Sequence, residues 1–240
     1  MTMFQNFTGT FRKQDITLFS DFVANLSPFG AAVSTAIGTS AALAGQVSNS
    51  NNDEHGKVTF GTTTATSAGV FGFSGIYMAQ TEASAGAGVT RDYRLGNGEI
   101  DVSARVFKTS GTSNHLLIVG LANASYDAVN RPAEHFAGWH ARADAGVWSI
   151  GVNNGTSSIS METTVPTTSY AELRVVVSPD AKFASFYGNG TLVKTLVFDL
   201  SKTAAVLPCV EMKDKVSGGN GASAGTVKVD WFMVTQQVRR

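Results

Sequence analysis

"AELRVVVSPDAKFASFYGNGTLVKTLVF", residues 171–198, decides the fold class. Runs rich in β-branched and aromatic residues alternate here with clusters of turn residues, the pattern of successive short strands. Asn189-Gly190 is the sharpest turn signal. Both residues tolerate the positive φ that the tip of a tight hairpin demands, so 182–187 should pair with 191–197.

The same texture extends outward along the chain. "KVTFGT" (57–62), "GVFGFSGI" (69–76), "HLLIVGLA" (115–122) and "TVKVDWFMV" (226–234) are further strand candidates. In the last of these, alternation puts Val227, Val229, Trp231 and Met233 on one face and Thr226, Lys228 and Asp230 on the other. Trp231 is therefore expected in the core, together with Trp148. Arg142 to Gly146 reads as the turn joining the strands that carry Trp139 and Trp148. No helical period, heptad or internal repeat appears, which leaves a β-sandwich or jelly roll. At 240 residues the chain fits one all-β unit, expected over 14–240 behind a short N-terminal arm, 1–13.

Hydrophobic residues are 43% of the chain, enough for a sizeable core. Charged residues are only 15%, against roughly 25% in an average soluble domain. The 18 basic and 18 acidic residues balance, so no long-range field gathers nucleic acid or an anionic membrane. A surface built from Ser, Thr, Asn, Gly and Ala suits burial against neighbouring subunits. Cys209 is the single cysteine, which excludes an intrachain disulfide and agrees with folding in a reducing cytoplasm. The uncharged run between Asp21 and Asp53 contains Pro28 and many turn residues, and reads as strands and loops rather than a membrane span. The arm places Phe4, Phe7 and Phe11 among polar residues with no continuous apolar stretch, so it is not a secretory signal. Three phenylalanines on a terminal segment need a covering surface, which makes them candidate assembly contacts in a homo-oligomer, expected to be a trimer.

"GEIDVSARVF" (98–107) raises the question of catalysis. Glu99-Ile100-Asp101 resembles the start of the E-x-D-x-(x)-E strand of family-16 glycoside hydrolases. A retaining mechanism needs two carboxyl groups about 5 Å apart, one as nucleophile and one as acid. The position of the acid is Ser103, or Ala104 if a bulge intervenes, and neither donates a proton usefully. Glu99, Asp101 and Arg105 then read as a solvated charged row on one face. His135 and His140 are five apart, on opposite faces of a strand, and lack ligands at zinc spacing. Asp53-Glu54-His55 is a polar loop cluster without the ligand array of a calcium site. Tyr77, Tyr93, Tyr126 and the tryptophans could include a sugar-stacking platform, although a sandwich core would claim most of them. These readings assign no catalytic residue, metal or cofactor, and the expectation is a protein that is not an enzyme.

A wider likeness covers residues 50–238. "DEHGKVTFGTTTATSAGVFGF" (53–73) resembles the opening strand of phage virion proteins with a concanavalin A-like (LamG-like) domain, departing from it where Gly56 follows His55 without a proline. Trp148 with "GVNNGTSSISMETTVP", then "YAELRVVVSPDAKFASFYGNGTLVKT" and "VKVDWFMVTQQVRR", are similar to the second half of those domains. The resemblance implies a concanavalin-like jelly-roll β-sandwich in a phage structural protein located in the virion and assembled in the host cytoplasm. The favoured role is capsid decoration, with the major capsid protein or another virion protein as partner. The alternative is a tail-tip or fibre module that recognises host surface glycan, and a family-16-type hydrolase is the third reading.

Overall fold

The computed structural model describes residues 14–20, 32–34, 47–49, 58–61, 73–77, 93–110, 115–122, 135–142, 145–200, 205–214 and 226–238. Phe4, Phe7 and Phe11, the Asp53-Glu54-His55 cluster and Tyr126 lie outside them. The described strands are β1 (Gln14–Ser20), β2 (Ala32–Ser34), β3 (Val47–Asn49), β4 (Val58–Gly61), β5 (Phe73–Tyr77), β6 (Tyr93–Arg94), β7 (Ile100–Ser110) and β8 (His115–Ala122). They continue as β9 (His135–Arg142), β10 (Val147–Asn154), β11 (Ser158–Pro166), β12 (Ala171–Val177), β13 (Phe183–Gly188), β14 (Thr191–Val197), β15 (Ala205–Asp214) and β16 (Thr226–Val238).

The hairpin expected at Asn189-Gly190 is present. β13 pairs antiparallel with β14, and Asn189 and Gly190 take φ of 51° and 78°. The turn before it is tied by Ser178. Its Oγ accepts from the backbone N–H of Lys182 and Phe183 (3.1 and 3.0 Å) and donates to Asp180 (2.6 Å), so the side chain supplies hydrogen bonds that the reversing backbone leaves open. β9 and β10 form the second expected hairpin, with Trp139 and Trp148 on its two arms.

Two antiparallel sheets result. The first runs β14-β13-β12-β7-β16-β4-β3, with β1 beside β16 where β4 has ended, and the second runs β11-β10-β9-β8-β15-β5-β2, with β6 beside β15. Between them lie Ile100, Val102, Ala104 and Val106 of β7, Leu173, Val175 and Val177 of β12, and Trp139, Trp148, Ile150, Val152 and Phe186, all buried. Trp139 meets the Phe186 ring edge-on at 6.2 Å, a geometry that aromatic quadrupoles favour. Tyr93 belongs to this core rather than to a surface platform.

Trp231 corrects the sequence expectation. Val229 pairs with Val106, but the next partner of β7, Arg105, lies opposite Trp231, so Asp230 is an extra residue and the strand is bulged there. Past the bulge the alternation inverts. Phe232 and Val234 enter the core, whereas Trp231 and Met233 lie half-buried on the outer face.

Candidate functional site

Asp101 and Arg105 of β7 share the outer face of the first sheet, as alternation requires, but they do not form a self-contained row. Asp101 is gripped by Arg174 of β12 through Nε (2.9 and 3.1 Å) and Nη2 (2.7 Å), and Arg105 pairs with Asp230 across to β16. Each guanidinium also stacks on a tyrosine, Arg174 on Tyr187 and Arg105 on Tyr170, both at 4.9 Å. The hydrogen bonds to Asp101 hold the Arg174 pKa above its ordinary value, against the opposing effect of partial burial. β7 pairs with β12 without a register shift, which leaves Ser103 at the third position of the hydrolase-like motif, 2% exposed. Glu99 and Asp101 therefore have no acid partner on this strand.

The outer face of the second sheet is different in character. Gly120 of β8, Gly138 of β9 and Gly151 of β10 are successive cross-strand partners, and Ser160 of β11 continues the row. A Cβ on Gly120 would lie 2.5 Å from the carbonyl oxygen of Ala137, and one on Gly138 2.5 Å from that of Val119, so β8 and β9 approach too closely for side chains there. Over Gly151 the space is taken by rings. A Cβ would lie 3.2 Å from His140 Nε2 and 3.3 Å from Phe136 Cε1, and the other edge of Phe136 would lie 3.1 Å from a Cβ on Gly138. Phe136 and His140, both on β9, thus lean over bare backbone with ring centroids 6.2 Å apart. His140 Nε2 shares a hydrogen bond with Ser160 Oγ at 3.0 Å, across two strands. Ser149 lies opposite both His140 and Glu162, which adds a polar row beside the rings.

Burial divides this face. Ile118, Gly120 and Ala122 of β8 and Cys209 of β15 are buried although all four lie on the outward register, whereas Phe136 and His140 are half-exposed and Ser158, Ser160 and Glu162 are exposed. The result is a shelf of three strands, β9 to β11. His135 has the opposite parity from His140 and turns inward, where desolvation lowers its pKa. Sequence reasoning missed Phe136, Ser160 and the glycine row, because single glycines in three separate strands carry no local motif. Glycine inside a strand pattern was the available signal.

This arrangement offers the half-exposed Phe136 ring, with the His140 ring inclined to it by 66°, bordered by hydroxyl and carboxylate groups, chemistry that suits a polyhydroxylated ring with an apolar face. No protein-family model and no curated protein sequence matches the chain. Solved structures do. An endo-β-1,3-glucanase from Pyrococcus furiosus is similar over 95% of this chain and 97% of its own, with TM-score 0.62 and 11% identity. An endo-β-1,4-glucuronan lyase from Trichoderma reesei is similar over 92% and 95%, with TM-score 0.58 and 11% identity. The Emp47p carbohydrate recognition domain is similar over 92% and 95%, with TM-score 0.56 and 8% identity. The chain has a concanavalin-like jelly-roll fold, as expected.

One expectation is overturned by these neighbours. The lack of a second catalytic carboxylate at Ser103 leads to the expectation that the chain is not an enzyme, yet a glucanase and a lyase use this same fold. The missing acid at Ser103 disqualifies one strand and does not decide the question for the chain.

Proposed function

We propose that this protein recognises glycan on the outer face of the second sheet, with the Phe136 ring as the stacking platform and His140, Ser149, Ser160 and Glu162 as hydrogen-bonding groups. The observation that carries the reading is the pair of rings lying over Gly138 and Gly151. Larger residues at these positions would push the rings off the sheet and break up the platform. The fold adds support, since the neighbours named above include proteins described as carbohydrate-recognising and carbohydrate-cleaving. Emp47p suggests binding, and the two enzymes suggest cleavage.

The test is a glycan array probed with the full-length chain and with Phe136→Ala, alongside assays for reducing ends and for unsaturated uronate products. Loss of the stacking ring should weaken binding by about tenfold, equal to ~1.4 kcal/mol, without altering the circular dichroism spectrum. A chain that retains no glycan, or a Phe136→Ala variant that binds as the parent does, overturns the proposal.

We propose a phage particle as the setting, on the resemblance of residues 53–73 and 148–238 to virion proteins. Glycan recognition favours the host-recognition form of that idea over capsid decoration. Immunogold labelling at the tail supports it, and labelling confined to the head or absent from particles removes it.

A further inference from the structure

We propose a second glycan-contact site on the opposite side of the sandwich, formed by Trp231, Arg105 and Glu172 and suited to an uncharged hexopyranose. These three residues are cross-strand partners in one row, with Arg105 opposite Trp231 of β16 on one side and opposite Glu172 of β12 on the other. Adjacent strands lie ~4.8 Å apart, so the row spans about 10 Å, room for a disaccharide laid across the strands.

The bulge is the first reason to assign this row a role. Regular alternation would bury Trp231, where a large aromatic side chain stabilises the fold most. The extra residue, Asp230, turns the indole to the outer face instead, and bulges characteristically re-aim side chains in this way. The inserted residue also has its own task, because the Asp230 carboxylate holds Arg105.

The second reason is preorganisation. Arg105 is fixed on three counts, by Asp230, by the Tyr170 ring 4.9 Å below it, and by Phe107, which backs that ring at 5.2 Å. Its side chain is nevertheless 47% exposed, so a planar donor fork faces solvent with little conformational freedom left to lose. Glu172, on the far side, is exposed, and its backbone is clamped by Asn189, whose Oδ1 accepts from the Glu172 N–H at 2.9 Å while its N–H donates to the Glu172 carbonyl at 2.8 Å. The row thus reads aromatic face, fixed donor, acceptor.

Charge selects the ligand class. Arg105 and Asp230 cancel, and Glu172 is offset on the same face by Lys228, which pairs with Phe107 of β7, so the surface has no net charge to draw uronates or sulfated chains and suits neutral sugars. A protein partner would favour Trp, Tyr and Arg too, but the centre of such an interface is depleted of charge, whereas Glu172 and Arg105 stand in the same row as the indole.

The experiment labels the full-length chain with 5-fluorotryptophan and follows the fluorine resonances, that of Trp231 being assigned from Trp231→Phe. The probes are neutral β-linked gluco- and galacto-oligosaccharides and an oligoglucuronate. The Trp231 resonance should shift saturably with a neutral oligosaccharide, should do so equally in Phe136→Ala, and should require about tenfold more ligand in Glu172→Gln, an exposed change that leaves folding intact. Oligoglucuronate should leave it unmoved. A Trp231 resonance unmoved by every neutral probe while the parent still binds glycan through Phe136 overturns this site and spares the first. An oligomer in light scattering that dissociates in Trp231→Phe assigns the face to a protein contact and overturns it as well.

Discussion

The indole N–H of Trp139, on the second sheet, donates to the backbone carbonyl of Arg174, on the first, at 3.0 Å. The bond crosses the sandwich, and the same Arg174 sends its side chain outward to Asp101. Core and outer face are therefore joined through one residue of β12. Trp139→Phe should cost about 0.5–1.5 kcal/mol for the lost hydrogen bond, and Trp139→Ala about 3–5 kcal/mol for the cavity. Urea titrations compare the two: a Trp139→Phe variant as stable as the parent would mean that the hydrogen bond contributes nothing, and equal losses in both would mean that the cavity adds nothing.

Trp148 and Trp231 should behave as opposites. Trp148 is 1% exposed, so Trp148→Ala should cost about 3–5 kcal/mol. Trp231→Phe, on the outer face, should cost less than ~1 kcal/mol, as surface changes generally do. Iodide should quench Trp231 and spare Trp148, measured on variants that keep one of the two. Equal quenching would contradict the bulge at Asp230.

Gly120 tests the close approach of β8 and β9. Its φ is 150°, and an added Cβ would strike the Ala137 carbonyl oxygen and Gly138 Cα at 2.5 and 2.6 Å. Gly120→Ala should destabilise by about 1–3 kcal/mol, the range for overpacking, whereas Gly146→Ala, with nothing near the added Cβ, should stay within about 0.5 kcal/mol. Matched thermal melts decide it.

His135 predicts a pH dependence. Desolvation lowers its folded-state pKa below the ordinary 6.5, so the unfolded chain takes up the proton first as pH falls. Stability should be greatest above 6.5 and should decline on acidification from there, levelling once pH has passed below the folded pKa. His135→Gln should lack this component in denaturant midpoints recorded between pH 5 and pH 8. A variant with the parent's slope across that window would remove His135 as the cause.

Local chemistry was enough to read some of the strands and two of their turns, but not β1, β2, β3, β6 or β15. Asn189-Gly190 marked its hairpin because positive φ is a property of those two residues, and "HLLIVGLA" became β8 over its full length because a short apolar run between turn residues has no competing structure. Alternation also put Glu99, Asp101 and Arg105 on one face and separated His135 from His140. The tertiary structure alone decided what those faces meet. Asp101 finds Arg174 73 residues away, and Gly120, Gly138 and Gly151 align only when three strands register. Trp231 shows the limit most directly. A period of two assigns a side only while every residue has a partner, and whether Asp230 is paired or extruded depends on β7, 125 residues earlier, presenting Arg105 to its carboxylate.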